Sequence, residues 1–289
     1  MAEQREEVIL VTGATGNQGG AAATRLLRAG WRVRALTRDP MSTRAKALVS
    51  AGCEIVAGEQ SDRTALDIAM RGVHGVFSVQ PGALAASPVP YDEEIAWGRK
   101  VADAASNAGV AHLVYASVAG AQDSAGIAVF EPKLRIERYI KEIGVPATIL
   151  RPVSFMENYA DAWTDSQALA TPLDPAVPEQ LIALADIGAF VAFAFGDPGR
   201  YLGRTVTIAG DQLTPPEIAR ALSAAAGRTV DFVQIPIDAV RAGHGDFADV
   251  VEFLNRRGGY RASIAETREL HPAALTFERW LTARHSADA

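Results

Sequence analysis

Cysteine is nearly missing from this chain of 289 residues: Cys53 stands alone. One thiol excludes an intrachain disulfide and any cysteine-cluster metal site. Long apolar runs are missing too. The longest, Leu181–Phe195, is broken by Asp186 and falls short of the roughly 20 residues that a bilayer span needs. The first residues, Met1-Ala2-Glu3-Gln4-Arg5-Glu6-Glu7, show no apolar segment behind a basic start, so no signal peptide is expected. A soluble, cytoplasmic protein without a membrane partner is the expectation. Basic charge is not in excess: Lys and Arg number 28 against 34 Asp and Glu, a net charge of −6. Phosphate neutralisation needs a Lys/Arg surplus somewhere, so nucleic acid is not an expected partner. The five histidines (His74, His112, His244, His271, His285) are scattered without helical ligand spacing, and no metal site is expected. Aromatics are scarce at 7%.

What is present is an ordinary globular composition, 48% hydrophobic and 21% charged, at a length suited to one large domain or two unequal ones. Short apolar runs rich in β-branched residues recur at Val8–Thr12, Arg32–Thr37, Glu54–Ala57, Val73–Val79, His112–Ala116 and Ala147–Leu150. Lacking polar alternation, they suit strands buried on both faces. Between them lie segments of helical spacing: Gln18–Ala29, Ser42–Ala51, Arg63–Met70, Glu93–Ala108 and Pro132–Ile143. Gly30, Gly52, Gly72, Gly109 and Gly144 each follow one, where a left-handed stop is expected. Repeated βα units predict an α/β fold, a doubly wound parallel sheet with helices on both faces.

After Arg151 the rhythm changes. Pro152, Pro172, Pro175 and Pro178 make residues 151–180 read as a long connection with at most one short helix. A buried helix over Asp186–Phe195, a strand over Thr205–Ala209 and a strand over Thr229–Ile235 are expected. Thr214-Pro215-Pro216-Glu217 is a capping box that opens a helix running to Ala226, with Gly227 as its stop. His271–Leu281 reads as a terminal docking helix. The division expected is 1–152 for a ligand-binding domain and 153–289 for a smaller domain, α/β or mostly helical. That division is open to helix 186–195 packing back on the first part.

The strongest motif is Val8-Ile9-Leu10-Val11-Thr12-Gly13-Ala14-Thr15-Gly16-Asn17-Gln18-Gly19-Gly20, a strand entering a glycine turn and then a helix. Gly13 allows a tight turn, Gly16 allows the backbone to approach a pyrophosphate, and Gly19 allows close packing of the helix. The helix N-terminus offers free N–H groups and a positive dipole end. This is the Rossmann-like arrangement for a dinucleotide. The second strand ends Thr37-Arg38-Asp39. A guanidinium there suits a 2′-phosphate, which predicts NADP(H) in preference to NAD(H); Asp39, the acid that NAD would use, leaves that choice open. The turn Glu59-Gln60-Ser61-Asp62 lies at the same edge, beside an adenine or simply capping the next helix through Ser61 or Asp62. Gln80-Pro81-Gly82 ends the fourth strand, at the switch point where a cofactor crosses.

Tyr115-Ala116-Ser117-Val118-Ala119-Gly120 follows the fifth strand, and Val129-Phe130-Glu131-Pro132-Lys133 opens the next helix. With the glycine loop, Thr37-Arg38-Asp39-Pro40, Ile143-Gly144-Val145-Pro146, Arg151-Pro152-x-x-Phe155-Met156-Glu157-Asn158 and the tail Pro272–Trp280, the chain resembles the NmrA-like family of atypical short-chain dehydrogenases/reductases, particularly its NADP(H)-binding, redox-sensor branch. The resemblance implies that Gly13, Thr15, Gly16, Asn17, Gln18 and Gly19 hold the pyrophosphate and Arg38 the 2′-phosphate. It implies that Glu59 and Gln60 flank adenine, and that Gln80, Pro81 and Gly82 run along the ribose. Lys133 would hydrogen-bond the nicotinamide ribose, and Phe155 to Asn158, with Glu157 among them, would flank the nicotinamide.

The departure from the superfamily pattern is Val129, which occupies the tyrosine position of Tyr-x-x-x-Lys and cannot transfer a proton. Ser117 falls at the catalytic serine position, where a loop or capping serine would serve as well. Lys133 sits in the first turn of a helix, an unfavourable place for a cation unless a negative or hydroxyl-rich partner is near; otherwise it is a solvated helix lysine. The expected activity is an NADPH-dependent reductase of a small activated carbonyl, quinone or enone, using Lys133 and Ser117. The alternative is a non-catalytic NADP(H) sensor with a regulatory protein partner, as a monomer or homodimer. Tyr159, Trp163, His244 and Phe247 stay unassigned between core and substrate pocket.

Overall fold

The structure, a computed structural model, describes residues 5–85, 87–123, 126–160 and 167–288. Trp163 lies outside the described residues. The chain forms two compact units: Met1–Val118, Glu131–Arg151 and Ile187–Val206 make the first, and Ala119–Phe130, Pro152–Asp186 and Thr207–Ala289 the second.

The first unit follows the βα rhythm. In order come β1 (Val8–Val11), α1 (Asn17–Arg28), β2 (Arg32–Thr37), α2 (Thr43–Ser50), β3 (Glu54–Ala57), α3 (Arg63–Ala69), β4 (Gly75–Ser78), α4 (Tyr91–Asn107), β5 (His112–Ala116), α5 (Glu131–Glu142) and β6 (Ala147–Pro152). Later come α6 (Leu184–Gly196), α7 (Pro198–Tyr201) and β10 (Thr205–Ile208). The seven-stranded sheet has the order β10-β6-β5-β4-β1-β2-β3. The pairings from β3 through β6 are parallel, with Leu10 opposite Arg34 on one side and Val76 on the other. The sheet runs outward in both directions from β1 and β4, and their C-terminal ends form the switch point. The five glycines expected to stop helices all take positive φ, between 65° and 100°.

β1, β4 and β5 are buried along their whole length, as two-sided apolar strands should be. β3 is not: Glu54 and Ala57 are exposed, because β3 is the edge strand and one side has no neighbour. The helices pack through small residues. A Cβ on Gly188 of α6 would lie 2.6 Å from the Ala21 carbonyl oxygen in α1, and one on Gly98 of α4 would lie 2.5 Å from Ile136 of α5. The core between the sheet and α4/α5 includes Leu10, Val76, Val101, Leu113, Tyr115, Ile136 and Ile140.

The second unit departs from the sequence reading. Residues 151–180 are not a mere connection: they contain β7 (Ser154–Phe155), a 3₁₀ turn (Met156–Tyr159) and β8 (Ala168–Thr171), followed by β9 (Glu179–Ile182). Strands of two to four residues carry too little periodicity to be seen among prolines. Then come β11 (Asp211–Leu213), α8 (Pro215–Ala226), β12 (Asp231–Gln234), α9 (Ile237–Arg241), α10 (Gly245–Arg257), α11 (Ile264–Leu270) and α12 (Phe277–Asp288). β11-β9-β7 form one small sheet and β12-β8 another. The expected capping box is present: the Thr214 N–H donates to Glu217 Oε2 at 2.8 Å, and Gly227 ends α8 with φ +63°. The terminal helix starts six residues later than expected, at Phe277. Residues before it are held as a turn by Asp186, which accepts from Leu275 N–H (2.9 Å) and bonds His271 Nε2 (3.0 Å). Met156, Leu181, Ile218, Leu222, Phe277 and Trp280 form this unit's core.

Two predictions follow from the packing of the first unit. Gly188→Ala must push α6 away from α1, which costs about 1–3 kcal/mol; a thermal unfolding midpoint equal to the parent's would contradict it. The second concerns His112 on β5, 2% exposed, whose Nε2 lies 2.7 Å from Thr148 Oγ1. Thr148 gives its own proton to the Tyr201 carbonyl (2.7 Å), so His112 donates through Nε2 and its Nδ1 is bare. Burial, aided by His74, lowers its pKa to about 4. Between the ordinary value near 6.5 and 4 the unfolded chain therefore binds the extra proton, and stability falls as pH falls through that window, by about 3 kcal/mol. His112→Gln should remove that share of the loss in urea titrations at pH 7 and pH 4.5.

Candidate functional site

The glycine turn closes on itself. Gly13 has φ +57°, and its amide plane lies so near β4 that a Cβ would sit 3.0 Å from Val79. Gly16 N–H donates to the Gly13 carbonyl at 2.8 Å. A Cβ on Gly19 would fall 2.1 Å from that same oxygen, so the first turn of α1 rests directly on the glycine turn. No side chain caps α1, no acidic residue lies in its first turn, and Gly16 and Asn17 are exposed. The free N–H groups and positive dipole end of the helix are thus presented outward, a cradle suited to a phosphate. Gln18 lies on the same turn with a buried Oε1 that no described residue satisfies. Thr15, half-buried, presents its carbonyl to Arg44 of α2, at 2.9 Å from Nη1.

At the tip of β2, Arg38 is exposed and makes no hydrogen bond or ion pair with any described residue. Asp39 is engaged locally: its Oδ1 accepts from Met41 N–H at 2.8 Å, shaping the turn into α2. The turn after β3 divides its labour. Asp62 caps α3, accepting from Thr64 and Ala65 N–H, and Ser61 donates to Glu59, which is exposed. Gln60 points inward. Its Nε2 donates to the Val79 carbonyl (3.0 Å) and its Oε1 accepts from Gln80 Nε2 (2.9 Å). The two amides tie the ends of β3 and β4 together, alongside Thr12, whose Oγ1 accepts from Val79 N–H at 3.0 Å. Pro81 and Gly82 follow, half-buried.

Lys133 has the negative partner that its position requires. Its Nζ lies 2.7 Å from Glu94 Oε1. Glu94 is 1% exposed and Lys133 14%. Glu94 stands in the first turn of α4, where the dipole favours a carboxylate, and its Oε2 passes within 3.4 Å of where a Gly82 Cβ would be. The Lys133 ammonium is therefore held at the end of β4 by an ion pair, with no hydrogen bond to another described residue. Ser117, buried after β5, donates to Glu137 Oε1 at 2.5 Å. Arg151 of β6 clasps the same carboxylate side-on, Nε to Oε1 at 2.8 Å and Nη2 to Oε2 at 2.5 Å. The Ser117 proton is thus committed to Glu137. Between the two carboxylates lies Tyr115, fully buried; desolvation and both charges hold its phenol well above the usual range, so it stays neutral.

Phe155, Glu157 and Asn158 lie in the second unit, as does the half-buried Val129. Phe155 is half-buried on β7, and Asn158 is exposed. Glu157 has a structural duty: its oxygens accept from Leu184 N–H (both 3.1 Å) at the start of α6 and from Trp280 Nε1 (3.1 Å). Burial raises its pKa in spite of these bonds. Among the described residues no group of His, Cys, Asp and Glu is placed to hold a metal ion, and no helix is long and apolar enough to cross a membrane.

Glu94, Arg44 and Glu137 escape a reading by motif, and Arg151 stands in the Arg151-Pro152 motif without a role. A signal for Glu94 and Glu137 exists in the sequence. Glu94 keeps helical register with the buried Gly98, Val101 and Ala105, and Glu137 with Ile136 and Ile140. A carboxylate on an apolar helical stripe needs a cation.

Residues 5–281 match the NmrA-like family. A relative from Streptomyces griseus, a (4-alkanoyl-5-oxo-2,5-dihydrofuran-3-yl)methyl phosphate reductase, is 34% identical over 239 residues, covering 81% of this chain and 79% of its own. Among solved structures, NmrA, a negative transcriptional regulator in complex with NADP, superposes with TM-score 0.81 at 20% identity, over 99% of this chain and 98% of that one. An NADPH-dependent quinone oxidoreductase from Escherichia coli does so with TM-score 0.79 at 22% identity, over 96% and 99%. With the doubly wound sheet and its glycine turn, this match shows that the chain belongs to the NmrA-like family.

Proposed function

We propose that the first unit binds a nicotinamide dinucleotide, NADP(H) in preference to NAD(H), and that the protein is a reductase of a small activated carbonyl, quinone or enone. The observation that carries this reading is the Lys133–Glu94 pair. A cation is held against the helix dipole, by a buried carboxylate, at the end of β4 beside Gly82. The residues of the first unit fit the cofactor: an uncapped helix N-terminus and a glycine turn with no space for side chains suit the pyrophosphate, and the unpartnered Arg38 guanidinium suits a 2′-phosphate. Arg44, which holds the Thr15 carbonyl, stiffens that turn.

A bound reduced dinucleotide supplies the hydride. The chain's own part is the proton and the orientation of the acceptor. Val129 has no proton to give, so the donor is the Lys133 ammonium. Ser117, whose proton goes to Glu137, orders the end of β5. An acceptor that tolerates charge on oxygen as the hydride arrives, such as a quinone or enone, demands the least from a lone ammonium. Reductases among the relatives support this reading. A second reading, an NADP(H) sensor without turnover, draws on the same Val129. NADPH binding without NADPH oxidation by any member of a quinone and enone panel would favour it and overturn the reductase.

Arg38→Ala should weaken NADPH by roughly 10–100-fold, the worth of a charge-assisted phosphate contact, and leave NADH nearly unchanged. Titration with both cofactors, followed by tryptophan fluorescence, measures this; equal losses refute the role of Arg38. Lys133→Gln should lower kcat by about 10²–10⁴-fold with a far smaller change in NADPH affinity. Steady-state kinetics with a quinone acceptor decides it, and an unchanged kcat removes Lys133 from the chemistry.

A further inference from the structure

The second unit contains a cavity of about 700 Å³, within the range of small-molecule sites. Leu169 and Leu173 form one side, and Val250, Val251 and Leu254 of α10 form the other. Phe247, 40% exposed, stands at its edge. Into this apolar space projects a small polar cluster. The Tyr159 hydroxyl donates to Glu179 Oε2, and the Ser154 side chain lines the same space. The Phe277 ring meets the Tyr159 ring edge-on, with centroids 5.5 Å apart. Glu179 and Tyr159 are deeply placed yet keep some accessible surface, because they face the cavity. Among the described residues that line it there is no lysine, arginine or histidine.

A carboxyl group at the floor of an apolar cavity is a costly feature for a structural purpose alone. The Tyr159 proton is already directed at Glu179, so Tyr159 and Glu179 together present lone pairs to the space. An anion entering would meet the Glu179 carboxylate with no lysine, arginine or histidine among the described lining residues to offset the repulsion. We infer that this cavity binds an uncharged, predominantly apolar molecule whose hydroxyl or N–H end meets the Tyr159–Glu179–Ser154 cluster, and that Glu179 makes the site reject anions.

The pair 1-naphthol and naphthalene-1-sulfonate share a ring system and differ in charge. In equilibrium binding to the full chain, 1-naphthol should bind at least about tenfold more tightly than the sulfonate. Glu179→Gln should bring the two affinities together. Ala168→Phe adds a ring where Ala168 lines the space, and should weaken 1-naphthol by about tenfold or more while the NADPH titration of the same sample stays unchanged. Equal binding of the two probes by the parent, an unchanged preference in Glu179→Gln, or full 1-naphthol binding by Ala168→Phe would each overturn the inference. If Glu179→Gln does not fold, Ala168→Phe and the parent's preference decide the matter. Turnover with 1,4-naphthoquinone and its 2-sulfonate separates the two proposals. Quinone reduction by a parent that binds the two naphthalene probes equally leaves the reductase standing and removes the cavity proposal. The expected probe binding without any NADPH oxidation keeps the cavity and removes the reductase.

Discussion

Two buried carboxylates set the terms for the C-terminal ends of the central strands. Glu94 on α4 and Glu137 on α5 are each 1% exposed, and an unpaired carboxylate in that position would cost several kcal/mol. Each must therefore find a cation, and the two solutions differ. Arg151 meets Glu137 with a side-on fork, and Ser117 adds a third donor, so that carboxylate is saturated and rigid. Glu94 receives a single ammonium and little else. The first pair fastens β5, β6 and α5 together; the second places one unsaturated cation beside Gly82 and leaves it able to bind something more. The chemistry assigned to Lys133 thus rests on a difference in hydrogen-bond saturation between two otherwise similar ion pairs.

The dinucleotide cradle depends on a different constraint, the exclusion of side chains. Gly19 stands where even a methyl group would collide with the Gly13 carbonyl, so the helix starts immediately above the turn. Its uncapped N–H groups are the consequence, since no side chain is there to meet them. The net charge of −6 has little bearing on an anionic ligand at this point. What matters is local: the dipole end, Arg38 without a partner, and Asp39 already turned toward Met41 N–H.

The first unit was largely legible in the sequence because its rules are local. A strand of β-branched residues, a glycine where φ must be positive and a helix of alternating small and long residues each announce themselves within a dozen positions. Gln60 and Gln80 were harder: both sit at the strand tips named for them, yet their amides bond each other across 20 positions, which leaves Gln80 Oε1 buried without a partner among the described residues. The second unit was mostly illegible. Its sheets join strands of two to four residues, and its ties span long separations: Gln180 bonds the Ala262 carbonyl and N–H, and Asp186 organises the turn at His271–Leu275. Periodicity does not report such contacts. The loss of Tyr at position 129 was visible at once, whereas the carboxylate that steadies Lys133 was hidden in the apolar stripe of another helix.

That hidden pairing changes what the missing tyrosine means. In a site that combines tyrosine and lysine, the lysine has a phenol to polarise and the phenol carries the proton. Here Tyr115 is no substitute: it is buried between Glu94 and Glu137, and both charges oppose its ionisation. With Val129 silent, Ser117 committed to Glu137 and the unpartnered Tyr115 hydroxyl fully buried, Lys133 is the partly exposed group at the end of β4 with protons to give. A site reduced to a single ammonium gives less help to a reaction that must form a full alkoxide than to one that spreads charge over a conjugated acceptor. The proposed preference for quinones and enones over plain ketones rests on that scarcity of donors rather than on likeness to known reductases.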